Sequence, residues 1–180
     1  IKTIYKYLSS FSYYSAHNIY YMPATRGFHC SSDLNDFDVI VIHYTMRIAY
    51  PESTSMLTAS FIQAIQEFGG HKILYIQDEY DNTETARKWI ASLGIHTVYT
   101  CVPKQHIEQI YPKSRFPTVQ FIQTLTGFAP IKPQYINSAK ASYRPILIGY
   151  RGRALPFWYG SLGQEKLNIG IKVKEYCQQR

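Results

Sequence analysis

The sequence lacks most of the features that announce a function directly. It has three cysteines, Cys30, Cys101 and Cys177, widely spaced and without a CxxC pair. That excludes a disulfide scaffold or a paired-cysteine metal site, and an odd, unpatterned count argues for free thiols in a reducing compartment, hence a cytoplasmic protein. No run approaches the roughly eighteen apolar residues of a membrane span, and no signal-peptide pattern opens the chain. GxxxxGK[ST], HExxH and GxSxG are all absent, so phosphate-loop NTPase, zinc-protease and serine-hydrolase readings lose their usual support. There is also no initiator Met, and Ile1 lies inside a helical pattern, which sets the expectation of a fragment or excised domain.

What is present is aromatic and basic. Seventeen tyrosines stand against only 17% charged residues. They suit amphipathic faces with the hydroxyl in water, or stacking platforms for sugars or bases. The net charge of +7 is unevenly spread: Arg144 to Arg180 holds seven basic residues and two acidic ones, a net of +5. Such an end suits phosphorylated ligands, an anionic membrane surface or nucleic acid. Nucleic acid is disfavoured, because the aromatics are spread along the chain and do not interleave with Lys and Arg on one segment.

The 180 residues suffice for one domain with a sizeable core, or one domain plus part of another. Ile1, Ile4, Tyr5, Leu8 and Phe11 predict a helix to about residue 15. Asn18 to Met22 reads as a short strand before Pro23, and Arg26 to Asp36 as a polar loop. Phe37 to Tyr44 is a strongly apolar strand leaving at His43, Tyr44 and Thr45. A helix follows on Leu57, Phe61, Ile65 and Phe68, ended by Gly69-Gly70.

The clearest strand is Lys72 to Gln77, whose apolar run Ile73–Ile76 gives way at once to Gln77, Asp78 and Glu79. A strand without polar alternation is buried on both faces, as in parallel sheets. Asp81 and Glu84 have capping-box spacing before a helix on Ala86, Trp89, Ile90 and Leu93. Ile95 to Val102 reads as a strand leaving at Thr100 and Cys101, Pro103 as the start of a short helix through Ile110, and Val119 to Leu125 as another strand. The alternation predicts an α/β fold: a doubly wound, mainly parallel Rossmann-like sheet with helices on both faces.

The expected organisation is a Rossmann-like domain over residues 1–130, a linker over 131–143, and over 144–180 the start of a second domain or the last strand–helix unit of the same layer. In the last part Pro145 to Tyr150 reads as a strand. It leads into Arg151-Gly152-Arg153 and then a helix from near Leu162, with Leu162, Ile169, Val173 and Tyr176 on one face.

Ligands of parallel sheets sit beyond the carboxyl ends of the strands, which makes the strand exits the candidate site. His43 can act as base or ligand there, and can equally hydrogen-bond a neighbouring loop. Asp78 and Glu79 carry the same double reading. As neighbours on a strand they would point to opposite sides, leaving one for a ligand. Arg151 and Arg153 in a glycine-containing loop form a candidate anion clamp, against the plainer reading of a solvated basic turn.

The order of segments resembles bacterial glycosyltransferases of the two-domain GT-B type, especially those of surface-polysaccharide synthesis. FDVIVIHY, KILYIQDEY, TVYTCVP with FIQTLTGFAP, and ILIGYRGRALPFWYGSLGQEKLNIG carry the likeness. It implies transfer of a sugar from a nucleoside-diphosphate sugar to a polysaccharide or glycolipid acceptor, without an obligatory metal or a further cofactor, and with possible peripheral contact to an anionic membrane at its inner face. By position, Gly149, Arg151, Gly152 and Arg153 would meet the donor phosphates, and Asp78, His43 or Glu79 would serve the acceptor. The chain departs from the pattern where relatives carry a histidine and it reads Gln77-Asp78. The family's first strand, and the donor-half acids that hold sugar and ribose, are not found in it, so the fragment alone is expected to have little activity. The alternative is a non-catalytic α/β binding or scaffold domain with a basic, anion-binding end.

Overall fold

The computed structural model describes residues 2–23, 33–48, 57–125, 127, 143, 145 and 149–179. The chain divides into two compact units, Ile1–Lys132 and Pro133–Arg180.

In the first unit, helix α1 (Lys2–Tyr14) precedes four strands, β1 (Val39–Ile42), β2 (His71–Tyr75), β3 (Thr97–Thr100) and β4 (Gln120–Gln123). Helices α2 (Ala59–Glu67), α3 (Thr83–Ser92) and α4 (Ile107–Ile110) alternate with them. All three strand pairings are parallel, in the order β1-β2-β3-β4. The unit is therefore an α/β layer with a four-stranded parallel sheet flanked by helices, consistent with a Rossmann-like fold.

Alternation along the strands sends two sets of side chains to opposite faces. Leu74, Ile42 and Val98 are buried on one face with Phe61 and Ile65 of α2 and Ala86 and Ile90 of α3. On the other, Tyr75 stacks on Tyr99 at 4.6 Å and receives Phe11 of α1 edge-on at 5.5 Å. That second face is only partly covered, since Val39 and Val41 are exposed.

Local chemistry sets the helix ends. Thr58 caps α2, its hydroxyl accepting the Phe61 amide at 3.5 Å. Phe68 then turns extended, and at Gly70 a Cβ would lie 2.5 Å from the Asp38 carbonyl. Only glycine lets the chain pass there into β2.

Several expected elements differ from the structure. Asn18–Met22 is not a strand: Tyr20 packs its ring on Phe37 at 5.6 Å and Tyr21 donates to the Leu8 carbonyl, and among the described residues the run pairs with no strand. Asp81 and Glu84 form no capping box. The N-cap of α3 is Asn82, in the left-handed conformation, while Glu84 binds Arg115 bidentately at 2.7 and 2.9 Å. The strands are also shorter than their apolar runs, because pairing stops where the chain turns away at Gln77 and Val102.

In the second unit, α5 (Gly160–Gln178) follows a 3-10 turn at Phe157–Tyr159. Leu162, Ile169, Val173 and Tyr176, the expected apolar face of the helix, are exposed. The expected linker lies outside the described residues except for Tyr143. Of the expected strand at Pro145–Tyr150, residues 146–148 lie outside them, and Gly149 and Tyr150 are irregular.

Candidate functional site

Thr3 and Tyr7 of α1 wall one side of the crevice at the carboxyl ends of the strands, and the order β1–β4 runs without reversal. Backbone pairing continues one residue past β2, with the Ile76 amide donating to Tyr99 O at 3.0 Å. The chain then breaks away: Asp78 has φ +63°, and the Asp81 amide closes a turn onto its carbonyl. Asp78 and Glu79 thus lie in a turn and not on a strand. The expected division to opposite sides of a strand does not apply there: both line one cleft, Asp78 half-buried and Glu79 5% exposed.

Glu79 is held by the exit of β3. Its Oε1 accepts the Thr100 hydroxyl hydrogen, and Thr100 Oγ1 in turn accepts the Val102 amide at 3.1 Å. The Thr83 hydroxyl donates to the Glu79 carbonyl at 2.5 Å, tying the turn to the first turn of α3. Burial raises the carboxyl's pKa, opposed by the Thr100 bond and by the backbone amides of Glu79 and Cys101. Among the described residues no Lys or Arg pairs with it. Its partners are neutral donors, so the carboxyl stays available to exchange a proton.

Two clefts meet over this exit and share Gln77 and Cys101. One, of about 210 Å3, is walled by Tyr7, Tyr44 and Tyr75, with Thr3, Gln77 and Thr124 supplying polar groups. The other, of about 540 Å3, is lined by Asp78, Glu79, Tyr80, Thr83, His106 and Gln109. Burial pushes the Tyr75 hydroxyl up to about 12, with Tyr99 and Tyr7 adding to it, and also raises Tyr7 and Cys101. At neutral pH this wall is aromatic surface edged by uncharged donors, which suits the face and hydroxyls of a sugar ring.

His43 is not brought into either cleft. It caps the 3-10 turn Tyr44–Met46, its Nδ1 2.9 Å from Thr45 Oγ1 and accepting the Thr45 amide at 3.4 Å. Its ring meets Tyr7 edge-on at 5.0 Å, and its buried Nε2 has no hydrogen-bond partner among the described residues. Burial lowers its pKa to about 4. The hydrogen-bonding reading of His43 fits this geometry better than that of a base.

In the second unit, Arg151 and Gly152 line a cavity of about 410 Å3 together with Lys166 and Lys174 of α5, whereas Arg153 and Gly149 do not. The structure thus separates the two expected clamp arginines.

Sequence reasoning missed Tyr7 and Tyr75 as individual site residues. Their only sequence signal was the abundance of tyrosine; what selects them is the packing of α1 against the sheet. Among the described residues no three His, Cys, Asp or Glu side chains gather as metal ligands, and no helix is long and apolar enough to cross a membrane. No family model, curated protein or solved structure matches this chain.

Proposed function

We propose that this chain is the acceptor-side part of a glycosyltransferase that moves a sugar from a nucleoside-diphosphate sugar to a polysaccharide or glycolipid acceptor. The observation that carries the reading is the tyrosine-walled cleft running past Gln77 and Cys101 into the pocket of the buried Glu79 carboxyl. A sugar ring stacks on aromatic faces through its C–H surface, while its hydroxyls take polar groups at the rim. The acceptor would lie against Tyr7 and Tyr44 with one hydroxyl reaching the Glu79 side.

In the transfer step that hydroxyl oxygen bonds to the anomeric carbon. The bond from that carbon to the donor phosphate oxygen breaks, and the nucleoside diphosphate leaves with the electron pair. The hydroxyl proton passes to Glu79, whose burial-raised pKa and fixed orientation suit a general base. Asp78, in the left-handed turn at the same pocket, orients the acceptor hydroxyls. The resemblance gives the donor side to Gly149, Arg151, Gly152 and Arg153; of these, Arg151 and Gly152 line the cation-lined cavity, which supports those two. That cavity is also the observation that favours the second reading, a non-catalytic domain with an anion-binding end.

Saturation-transfer NMR with a panel of pyranosides and short glycans tests the first reading. Binding in the millimolar range, weakened several-fold by Tyr7→Ala and retained in Glu79→Gln, is expected. Absence of transfer to every glycan, or signals unmoved by Tyr7→Ala, would sink it.

A further inference from the structure

The cavity of the second unit is built around one tyrosine. Tyr150 donates from its hydroxyl to the Lys166 carbonyl of α5 at 2.5 Å, and its ring lies where a Cβ on Gly170 would meet it at 3.1 Å. At Gly152 a Cβ would lie 2.8 Å from the same Lys166 carbonyl and 2.8 Å from the Tyr150 ring. The two glycines therefore let the segment carrying Arg151 lie directly on the helix backbone. Arg151 lines the same cavity as Lys166 and Lys174, which stand eight residues apart on α5, about 80° around the helix; all three are exposed. Leu167 and Val173 complete the wall.

The arrangement is three cations around one concavity with no acid in it. Glu165 and Glu175 each neighbour one of the lysines in sequence, about 100° around the helix, and neither lines the cavity. Among the described residues none of the three cations takes part in an ion pair. Three exposed like charges around one concavity favour an anion between them, an attraction that salt weakens. A phosphoryl group, with several acceptor oxygens, matches an arginine fork beside two ammonium donors.

We infer that Arg151, Lys166 and Lys174 form a binding site for a phosphoryl group, carried by a free or nucleotide-borne diphosphate or by a lipid headgroup. Lys166 and Lys174 are the new members; Arg151 alone makes no such pocket. Naming the diphosphate of a sugar donor as ligand rests on the transfer reading above, but the cation-lined cavity does not.

The test uses the whole chain in about 0.15 M salt. Pyrophosphate is titrated by calorimetry, and vesicles of phosphatidylglycerol in phosphatidylcholine are offered in sedimentation. Saturable pyrophosphate binding is expected, weakened about tenfold by Lys166→Gln and by Lys174→Gln, and changed less than about twofold by the charge-matched control Lys172→Gln, which lies off the cavity. Vesicle binding with the same ranking and no response to pyrophosphate would support the site with a lipid source. Binding of neither probe, or an equal loss in Lys172→Gln, would overturn it, since the effect would then be bulk charge. Pyrophosphate binding without any glycan binding would leave this site standing and remove the transfer reading.

Discussion

Thr100 and Glu79, at the exits of neighbouring strands, are both buried and bonded to each other, hydroxyl to carboxylate. No cation offsets the carboxylate among the described residues, so the fold carries a buried acid held by neutral donors. Such a group is a cost to stability, and costs of this kind concentrate at functional sites.

The pH dependence follows from the sign of the shift. The folded pKa of Glu79 lies above its ordinary value of 4.5, chiefly through burial. Its contribution to stability is therefore fully present below about pH 4.5 and is lost as pH rises through the raised value. Glu79→Gln removes that loss while keeping an acceptor for Thr100. The variant is expected to gain on the parent most at pH 7.5 and least at pH 4.5, read from urea unfolding at the two values. A variant less stable than the parent at pH 7.5 would mean that the carboxylate has a charged partner.

His43 gives the opposite slope. Its folded pKa of about 4 lies below the ordinary 6.5 because burial disfavours the imidazolium. The stability tied to its neutral form is complete above pH 6.5 and is lost as pH falls through 4, a total of about 3 kcal/mol. His43→Asn retains an acceptor for the Thr45 amide and removes the titration. Denaturant midpoints measured from pH 7 to 4 should fall less steeply for the variant; identical slopes would contradict the assignment.

Lys72 shows what could and could not be read from the chain. The apolar run Ile73–Ile76 identified β2, with Lys72 as the first residue of that strand. In the structure Lys72 is itself buried, and its ammonium donates to the Gln66 carbonyl at 3.2 Å and to the Leu93 carbonyl at 3.1 Å, joining the ends of α2 and α3. Period and composition locate strands because burial acts on each residue locally. They do not tell which distant carbonyl a lysine reaches, or that Tyr7 of α1 will face Tyr75. They also mislead where polar residues have competing uses. Asp81 and Glu84 had the spacing of a cap, but the left-handed Asp78 and Asn82 set a different turn, and Glu84 was taken by Arg115. The strand exits were legible from the apolar runs; that two clefts meet there, and which tyrosines wall one of them, was not.

Lys72→Met keeps much of the stem's packing and deletes both bonds, leaving two helix-end carbonyls without this donor. A loss of about 2–3 kcal/mol is expected. The denaturant midpoint should drop with an unchanged slope, since the same surface is exposed on unfolding. A loss below about 0.5 kcal/mol would show that water replaces the ammonium at both carbonyls.

Two glycines of the basic segment should respond oppositely to alanine. At Gly149 an added Cβ meets nothing within 4 Å, so Gly149→Ala should leave the second unit unchanged or slightly stabilised by the smaller entropy of its unfolded chain. At Gly152 the same methyl would press on the Lys166 carbonyl and the Tyr150 ring at 2.8 Å, both parts of the seat that holds Arg151. Gly152→Ala should therefore shift the Tyr150 ring resonances, weaken the Tyr150–Lys166 hydrogen bond and lower pyrophosphate affinity, while the resonances of β1–β4 stay in place. Comparing heteronuclear NMR spectra of the two variants reads all three effects at once. Equal behaviour of the two alanines would mean that Gly152 is an ordinary turn residue and that Tyr150 does not depend on it.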